Sequence, residues 1–378
     1  MDRNDFWNER YKRQVTLKQF GLAGQNKLSQ SSVAVVGAGG LGCPALQYLA
    51  AMGIGKLGII DGDTVAISNL HRQILFSETD IGELKATTAA MVVRKINSAV
   101  TVVAVTDNLS SENAYELLAP YDIVIDATDN FTARYLISDM CYLLGKPFIY
   151  GAVSQFEGQV GVFNCTGPDK QRPVNYRDLF PSPPAEGFIQ NCAEAGVLGV
   201  LPGIIGTIQA GEAVKLITGI GRPLTDRLLT YNLLSNDFYE IILVPRKDVD
   251  DMLPENVEEW KNWFSVEGKS CSSTVDEIDA AGFDEMITDA NVLVIDVRDP
   301  EEVPLVNEFA HERIPLGLLL QQQPVAVVDT IIVFCQSGRR SKTAAQYLDT
   351  LFNQTKKIYS LKGGILLWKK SSKVKPAK

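Results

Sequence analysis

The chain has no pair of cysteines at C-x-x-C spacing, and its few cysteines lie far apart in a sequence of 378 residues. The six cysteines are Cys43, Cys141, Cys165, Cys192, Cys271 and Cys335. Scattered cysteines in a chain of this length are not typical of a small secreted domain held by disulfides. We therefore expect a cytoplasmic protein whose fold depends on a hydrophobic core.

Long hydrophobic runs are also missing. The uncharged apolar stretch from Ala195 to Gly211 is shorter than the roughly 20 residues that cross a membrane, and Pro202 interrupts it. We interpret this stretch as a buried helix preceded by a loop. The first residues, Met1 to Arg13, are highly charged and lack the apolar segment of a signal peptide. No association with a membrane is expected.

The chain has no excess of positive charge, since its net charge is -9. A protein that binds nucleic acid would normally carry a basic patch or stripe, so no direct contact with nucleic acid is expected. The length predicts more than one domain. We place a first domain at residues 1–245, a charged linker without clear periodicity at 246–270, and a second domain at 271–378.

The most informative stretch present is Val33 to Asp63, where an apolar run leads into Gly37 to Gly42 and a second apolar run ends at Asp61. This order predicts a strand, a glycine-rich turn, a helix and a second strand that ends in an acid. Such a turn lets the backbone approach a phosphate at a helix N-terminus, while the acid can accept hydrogen bonds from ribose hydroxyls. The alternative is a tight turn without a ligand. The flanking elements favour a nucleotide site.

Further apolar segments predict an open α/β sheet in the first domain. They include Thr101 to Val105, Asp122 to Ala127, Pro147 to Val153 and Gln159 to Phe163. Two late segments, Leu228 to Leu234 and Phe238 to Val244, are separated by a turn. We expect them to complete the sheet in antiparallel fashion.

A polar series after the second strand argues against a nicotinamide or flavin dehydrogenase, which the glycine turn alone would suggest. It comprises Ser68 to Gln73, Lys85 and Thr128 to Asn130. Arg72 and Lys85 could balance a triphosphate, and Asp129 could bind magnesium through its oxygen atoms. Solvent-exposed charges on helices remain the alternative for each residue alone. The series predicts ATP and Mg²⁺ as the cofactors.

The glycine turn and this polar series, together with Arg10 to Gln14, resemble the MoeB/ThiF adenylyltransferases, which are relatives of ubiquitin-activating enzymes. The resemblance covers about the first two thirds of the chain and implies a Rossmann-like mixed sheet. It also implies that ATP adenylates the C-terminal glycine of a ubiquitin-like sulfur carrier. The implied nucleotide contacts are Gly37, Gly39, Gly40, Gly42, Asp61, Ser68, Asn69, Leu70, His71, Arg72, Lys85, Asp129 and Asn130. Arg13 would reach the triphosphate of a neighbouring subunit, which implies a homodimer.

Two further positions follow from this resemblance. Cys192 lies where these enzymes have a mobile cysteine that forms a thioester or an acyl-disulfide, although a packed small side chain is the alternative. Many relatives hold structural zinc with two C-x-x-C pairs, but Asn175 to Asp178 stand in the place of the first pair. Zinc would lack its ligands, so we expect no zinc site. Packing and prolines are then expected to hold the loop from Arg172 to Pro184.

The last hundred or so residues predict a second, smaller α/β unit. Val292 to Arg298 and Thr330 to Phe334 are short buried strands, and the second leads directly into Cys335 to Ser341. A cysteine between a strand and a helix N-terminus, followed by two arginines, is expected to be a reactive thiolate. A buried inert cysteine is the alternative, but it does not account for the arginines.

This segment resembles a rhodanese domain at Ile295 to Glu302, Arg313 to Gly317, Cys335 to Ser341 and Leu361 to Gly364. The resemblance implies a persulfide on Cys335 that the loop amides and Arg340 stabilise. A loop of the tyrosine-phosphatase type usually has one more residue between its cysteine and arginine.

Together the two resemblances predict a sulfur-carrier activating enzyme, in which Cys192, Cys335, Arg340, Arg72 and Asp129 are catalytic. The expected partners are a carrier of the molybdopterin synthase small-subunit type ending in Gly-Gly and a sulfur donor, either thiosulfate or a cysteine desulfurase. Carriers for thiamine synthesis or tRNA thiolation remain open. So does a dinucleotide-dependent oxidoreductase with a redox cysteine domain, and a scaffold without activity is disfavoured because the predicted site residues are present.

Overall fold

The computed structural model describes residues 3–165, 172–181, 196–261, 276–289, 291–320, 328–352 and 355–372. These residues belong to two compact units, one ending at residue 261 and the other beginning at residue 276. Each unit has its own β-sheet and its own hydrophobic clusters. The fold class predicted from the sequence, a large mixed α/β sheet and a second smaller α/β unit, is confirmed.

The sheet of the first unit is parallel at one end and antiparallel at the other. Among the described residues its strand order is β3-β2-β1-β4-β5-β6-β7-β8. The strands are β1 Ser32–Val36, β2 Lys56–Ile60, β3 Thr101–Val105, β4 Ile123–Asp126, β5 Phe148–Ser154, β6 Glu157–Phe163, β7 Arg227–Asn232 and β8 Asp237–Ile242. The first five strands pair in parallel, and β6, β7 and β8 pair antiparallel. The predicted antiparallel completion of the sheet is therefore confirmed.

Helices cover both faces of this sheet. They are α1 Arg3–Val15, α2 Gly21–Gln30, α3 Gly42–Met52, α4 Lys85–Ile96, α5 Ala114–Leu118, α6 Phe131–Leu143, α7 Tyr176–Leu179 and α8 Val200–Thr218. Successive residues of β1 alternate between two hydrophobic clusters: Val33 and Val35 belong to one, and Ala34 and Val36 to the other. This alternation explains why β1 is apolar throughout, because a central strand of a parallel sheet is buried on both faces.

Helix α8 contains most of the uncharged stretch noted in the sequence. By length and composition alone it could cross a membrane, but half of its most apolar 18-residue segment is buried within the protein. Ile205 and Gln209 are buried, and they pack at Gly158 and Gly151 of the sheet, where an added Cβ would collide with them. Pro202 lies in the first turn, where its missing N–H would have no helical partner. The prediction of a buried helix is confirmed.

Buried polar contacts hold the segment 172–181, whose expected zinc-binding cysteines are missing. Arg177 Nε and Nη2 donate to Asp139 Oδ1 and Oδ2 at 2.9 and 2.8 Å, and both side chains are almost fully buried. Asn175 Nδ2 donates to Asn164 Oδ1 at 2.8 Å. Packing also holds the described part of this loop, as expected, because Val174 and Tyr176 belong to a hydrophobic cluster of the first unit. The sequence did not predict the ion pair and the hydrogen bonds. No group of metal-binding side chains is found in the residues that the structure describes.

The first part of the predicted linker packs against the first unit. A 3-10 helix spans Lys247–Met252, and Arg172 Nε lies 2.6 Å from Asp250 Oδ1. Trp260 is completely buried in one of the two hydrophobic clusters that pack on the sheet. The apolar side chains of this charged stretch thus give it a place in the core. Residues 262–270 lie outside the described residues, and the domain boundaries remain predictions.

The second unit has a parallel sheet with helices on both faces. In its described residues the strand order is β11-β10-β12-β13-β9. The elements are β9 Asp276–Ile278, α9 Ala280–Met286, β10 Val292–Asp296, β11 Glu312–Arg313, α10 Leu316–Leu319, β12 Thr330–Phe334, α11 Arg339–Leu351, β13 Lys357–Leu361 and α12 Gly364–Ser372. Ile331 and Val333 of β12 face one hydrophobic cluster, and Ile332 and Phe334 face the other. A strand buried on both faces explains the apolar run that ends at the cysteine loop.

The buried pair of Arg177 and Asp139 yields a stability prediction. Arg177→Met should lower the free energy of unfolding by about 3–5 kcal/mol, because it leaves the Asp139 carboxylate buried without its cation. Arg222→Met is the control, since Arg222 pairs with Asp226 on the surface and its loss should cost less than about 1 kcal/mol. Denaturant titration followed by circular dichroism measures both. Equal losses in the two variants would contradict the importance of the buried pair.

Candidate functional site

A cleft of about 440 Å³ opens at the carboxyl ends of β1, β2 and β4. Its lining includes the loop residues after all three strands, together with side chains of α6 and α8. The strand β1 lies between β2 and β4, so the chain turns to opposite sides of the sheet at this point. Open α/β sheets bind ligands at such switch points. The topology therefore puts the cleft where the sequence predicted a nucleotide.

Close backbone contacts shape the glycine turn. Gly37 has φ of 96°, and a Cβ there would lie 2.6 Å from the Ala127 carbonyl oxygen. A Cβ on Gly42 would lie 2.0 Å from the Gly37 carbonyl oxygen. Gly37, Gly39 and Gly40 line the cleft, whereas Gly42 lies behind them at the start of α3 and is not part of the lining. Gly42 therefore serves the packing of the turn.

Asp61 connects the end of β2 to the glycine turn. Its Oδ2 accepts a hydrogen bond from Ala38 N at 2.7 Å, and its Oδ1 accepts one from Asp63 N at 2.9 Å. Burial raises the pKa of Asp61, while Lys85 and these two N–H groups oppose the increase. Asp61 lines the cleft, and its two hydrogen bonds join the glycine turn to Asp63. A contact between Asp61 and ribose stays a prediction.

Lys85 begins helix α4 and points its charge toward the cleft. Its side chain is only 7% exposed, and Nζ lies 2.8 Å from Asp63 Oδ2. Both residues belong to the lining. The sequence interpretation assigned no role to Asp63, although its position two residues after Asp61 is a signal that could have indicated one. Lys85 thus has a fixed position that a charge on a solvated helix face would not have.

The turn from Ser68 to Arg72 presents a single arginine to the cleft. Arg72 Nη1 donates to the Ser68 carbonyl oxygen at 3.0 Å and lies 2.9 Å from His71 Nε2. Asn69 Oδ1 accepts a hydrogen bond from Ala66 N and so closes the turn. Of the five residues only Arg72 lines the cleft, whereas Ser68, Asn69, Leu70 and His71 do not. Ser68, Asn69 and His71 contact Arg72, since Arg72 N also donates to the Asn69 carbonyl oxygen at 3.0 Å. A contact of the four residues with the nucleotide stays a prediction.

Asp129 and Asn130 lie in the turn between β4 and α6. Asp129 is exposed on the wall of the cleft, so its carboxylate oxygens are accessible to a ligand. Asn130 also lines the cleft, but its Oδ1 accepts a hydrogen bond from Ala133 N and caps α6. The structure thus brings Asp129 together with Arg72, Lys85 and the glycine turn, as predicted from the sequence.

Several lining residues were missed by the sequence interpretation. They include Asn108, Thr132, Arg134, Val197 and Pro202. Arg134 could have been suspected, because it lies one helical turn after Asn130 on α6. Arg13, by contrast, is exposed on α1 and is not among the lining residues of its own chain. Cys192 lies outside the described residues.

The cysteine loop of the second unit directs hydrogen-bonding groups at the sulfur of Cys335. Gly338 N donates to Cys335 Sγ at 3.2 Å, and Sγ lies 3.6 Å from Ser341 Oγ. Gly338 has φ of 92°, which lets the loop turn back before α11 begins. Cys335 is fully buried in this conformation. The loop amide and the helix N-terminus are therefore in place to stabilise negative charge on sulfur.

Arg340 has a carboxylate partner. Its Nη1 and Nη2 donate to Glu302 Oε1 and Oε2 at 2.5 and 2.6 Å. Burial raises the pKa of Glu302, but the hydrogen bonds from Arg340 and from Asp299 N outweigh this effect and leave the pKa lowered. The charge of Arg340 is thus balanced locally. Its predicted role in stabilising a persulfide remains a prediction, and the described contacts to sulfur come from Gly338 and Ser341.

The glycine pair near the C-terminus supports the cysteine loop. Ile365 N donates to the Cys335 carbonyl oxygen at 2.8 Å. Gly364 has φ of 62°, and a Cβ there would lie 2.5 Å from that same oxygen. The end of β12, from which the loop starts, is also bonded to the residue after β10, because Val297 N donates to the Phe334 carbonyl oxygen at 3.0 Å. Distant sequence motifs of this unit therefore meet at one loop.

Both parts of the chain match families of known proteins. The model of the ThiF family matches residues 11–252, and that of the rhodanese-like domain matches residues 279–371. The sulfur carrier protein adenylyltransferase of Thermus thermophilus is 49% identical over 62% of this chain and 86% of its own length. The adenylyltransferase and sulfurtransferase MOCS3-1 of Zea mays is 38% identical over 95% of this chain and 81% of its own length.

A further relative and two solved structures agree with these matches. The probable adenylyltransferase/sulfurtransferase MoeZ of Mycobacterium tuberculosis is 36% identical over 96% of this chain and 92% of its own length. The crystal structure of PaaA superimposes with a TM-score of 0.54 and 26% identity, covering 65% of this chain and 76% of PaaA. The E. coli MccB structure with MccA-N7isoAsn has the same TM-score at 18% identity, covering 65% of this chain and 81% of MccB, and shows likeness of fold.

The geometry of the glycine turn yields a second stability prediction. Gly37→Ala should lower the free energy of unfolding by more than about 1 kcal/mol, because the positive φ and the Ala127 carbonyl oxygen leave no room for a Cβ. Gly203→Ala is the matched control, since nothing lies within 4 Å of its added Cβ in helix α8. The control should be neutral or stabilising by up to about 1 kcal/mol. Thermal unfolding of both variants tests this difference, which equal melting temperatures would disprove.

Proposed function

The chain belongs to the ThiF family and carries a rhodanese-like domain, and we propose that it activates a ubiquitin-like sulfur carrier. In this proposal ATP adenylates the carrier's C-terminal glycine, and a persulfide on Cys335 then supplies sulfur to give a thiocarboxylate. The main observation in favour is the cleft at the strand ends, where Asp129, Arg72 and Lys85 converge. The names of the relatives, adenylyltransferase and sulfurtransferase, agree with both activities.

In the adenylation step an oxygen of the carrier carboxylate attacks the α-phosphorus of ATP, and the bond to the β-phosphate oxygen breaks. Pyrophosphate leaves with the electron pair of that bond. Arg72 and Lys85 provide the positive charge that stabilises the phosphates during this exchange. The glycine turn allows close approach of the backbone N–H groups to the nucleotide. Each of these groups belongs to a rigid element or a hydrogen-bonded turn, so little reorganisation is needed.

Magnesium fits the residues of the cleft. Mg²⁺ is often bound by one or two carboxylates together with substrate phosphates, and Asp129 provides an accessible carboxylate on the cleft wall. When bound, the ion would neutralise phosphate charge and orient the leaving pyrophosphate. Asp129 would hold it, while the lysine and arginine of the same cleft contact other phosphate oxygens.

In the sulfur step the terminal sulfur of the Cys335 persulfide attacks the carrier's acyl carbon, and AMP leaves. The product is an acyl-disulfide between the carrier and Cys335. We assign its resolution to Cys192, whose thiolate attacks Cys335 Sγ, forms a disulfide and releases the thiocarboxylate. An external thiol then reduces the disulfide. One chain holds both activities, which raises the effective concentration of persulfide near the adenylate.

The proposed carrier is of the molybdopterin synthase small-subunit type, and the proposed setting is a cytoplasmic homodimer. Carriers of thiamine synthesis and tRNA thiolation have the same chemistry at the terminal glycine, so the cleft does not select among them. Thiosulfate and a cysteine desulfurase are the proposed sulfur donors. Incubation with each candidate carrier, ATP and donor, followed by intact mass measurement, identifies the carrier that gains sulfur.

The adenylation role of Asp129 can be tested by pyrophosphate exchange. Asp129→Ala should reduce carrier-dependent exchange by about 100-fold or more, because the carboxylate that holds magnesium is lost. Glu116→Ala is the control, since Glu116 is an exposed acid on α5 outside the cleft. Near wild-type exchange in folded Asp129→Ala would rule out this assignment.

The division of labour between the domains can be tested at Cys335. Cys335→Ala should retain acyl-adenylate formation but lose thiosulfate sulfurtransferase activity and thiocarboxylate formation, since the adenylation residues all precede residue 246. Cys165→Ala is the control thiol and should retain all three activities. Cys192→Ala should retain adenylation and persulfide loading and slow only the release of thiocarboxylate. Loss of adenylation in folded Cys335→Ala would refute the division.

The proposed dimer can be tested by subunit complementation. Arg13 is exposed on α1 and does not line its own cleft, so it is available to act on a partner subunit. Mixed dimers of Arg13→Ala and Asp129→Ala subunits should recover part of the exchange activity, because one cleft then has both residues. Verified mixed dimers without any recovery would count against action across the interface.

A further inference from the structure

A buried ion pair lies directly beneath the turn that carries Asp129. Asp126 ends strand β4 and is completely buried, and Arg134 lies in the first turns of α6 with its side chain 7% exposed. Asp126 Oδ2 and Arg134 Nε are 3.5 Å apart. Arg134 also lines the nucleotide cleft. The pair therefore joins the end of the strand, the following helix and the wall of the site.

The contacts of this pair converge on Thr128, the residue before Asp129. Asp126 Oδ1 accepts hydrogen bonds from Thr128 N at 2.9 Å and from Thr128 Oγ1 at 2.6 Å. Arg134 Nη2 donates to the Thr128 carbonyl oxygen at 3.2 Å. The backbone N–H, the carbonyl and the hydroxyl of Thr128 are thus all held by two oppositely charged side chains. The turn has little freedom to change the direction of its next residue.

Surrounding groups fix the pair itself. Gln209 Nε2, from helix α8, donates to the Asp126 carbonyl oxygen at 2.6 Å. The guanidinium of Arg134 lies 5.4 Å from the ring centres of both Phe131 and Tyr150. Such contacts favour a cation and restrict its movement. Burial raises the pKa of Asp126 to about 6, an increase that Arg134 and the hydrogen bonds from Thr128 oppose.

We propose that Asp126 and Arg134 are positioning residues that set the Thr128–Asn130 turn, and with it the Asp129 carboxylate, for magnesium-bound ATP. This inference rests on the proposed function, in which Asp129 holds the ion. A buried ion pair is often no more stable than apolar residues of the same size, so stability alone is a weak reason for it. Mg²⁺ demands near-ideal octahedral geometry, which a loosely held carboxylate would not provide.

The test measures binding of ATP to the full chain by calorimetry, once with Mg²⁺ and once with a chelator. In Asp126→Asn the dissociation constant for ATP with Mg²⁺ should rise about tenfold or more, and that for metal-free ATP should change less than about twofold. Arg134→Lys keeps the charge but loses the planar donor to Thr128. It should likewise weaken the binding of ATP with Mg²⁺ more than the binding of metal-free ATP. Arg134→Lys preserves the ion pair, so this variant tests the inference if Asp126→Asn does not fold.

The pair of Asp139 and Arg177 provides a matched control. It is also buried, and Asp139 belongs to the same helix as Arg134, but neither residue lines the cleft. Asp139→Asn should destabilise the protein and leave the ratio of the two dissociation constants unchanged within about twofold. If Asp126→Asn and Arg134→Lys weakened the binding of ATP equally with and without Mg²⁺, the inference would be overturned. Failure of the unaltered protein to prefer ATP with Mg²⁺ would instead refute the proposed role of Asp129.

Discussion

The nucleotide cleft depends on the hydrogen bonds that Asp61 accepts from Ala38 and Asp63. Through them the end of β2 holds the glycine turn that follows β1 and the residue that pairs with Lys85. The glycine turn also packs against Ala127 at the end of β4, where a side chain on Gly37 would not fit. Three strand ends are thereby held in one arrangement. This arrangement carries the cations of the cleft, Arg72 and Lys85, and its exposed carboxylate, Asp129.

Charged side chains in the interior are used in two different ways. Arg177 and Asp139 hold the segment 172–181 of the first unit. Asp126 and Arg134 hold the Asp129 turn. Removing one member of a buried pair leaves a charge without a partner, which is strongly destabilising, so each pair restrains the residues around it. The position of a pair relative to the cleft distinguishes the two cases.

In the second unit, glycines rather than buried charges hold distant segments together. Gly338 and Gly364 allow the cysteine loop and the start of α12 to approach each other closely. The sulfur of Cys335 then receives a backbone N–H and lies near the hydroxyl of Ser341. Arg340 is engaged with Glu302, and the described contacts to the sulfur come from Gly338 and Ser341. The fusion of this unit to an adenylyltransferase domain gives the chain both halves of a sulfur-transfer reaction.

The sequence by itself determined the elements whose signals are local. Apolar strands, the glycine turn, the acid after β2 and the cysteine loop are each encoded within about ten residues, where periodicity and glycine positions act. Tertiary structure decided which side chains meet across longer separations. It placed Arg72 in the lining of the cleft and Ser68 to His71 outside that lining. It also paired Arg340 with Glu302 and buried Trp260 of the predicted linker in the core. Pairings such as that of Arg177 with Asp139 depend on how distant elements pack, and neither residue carries a local signal of its partner.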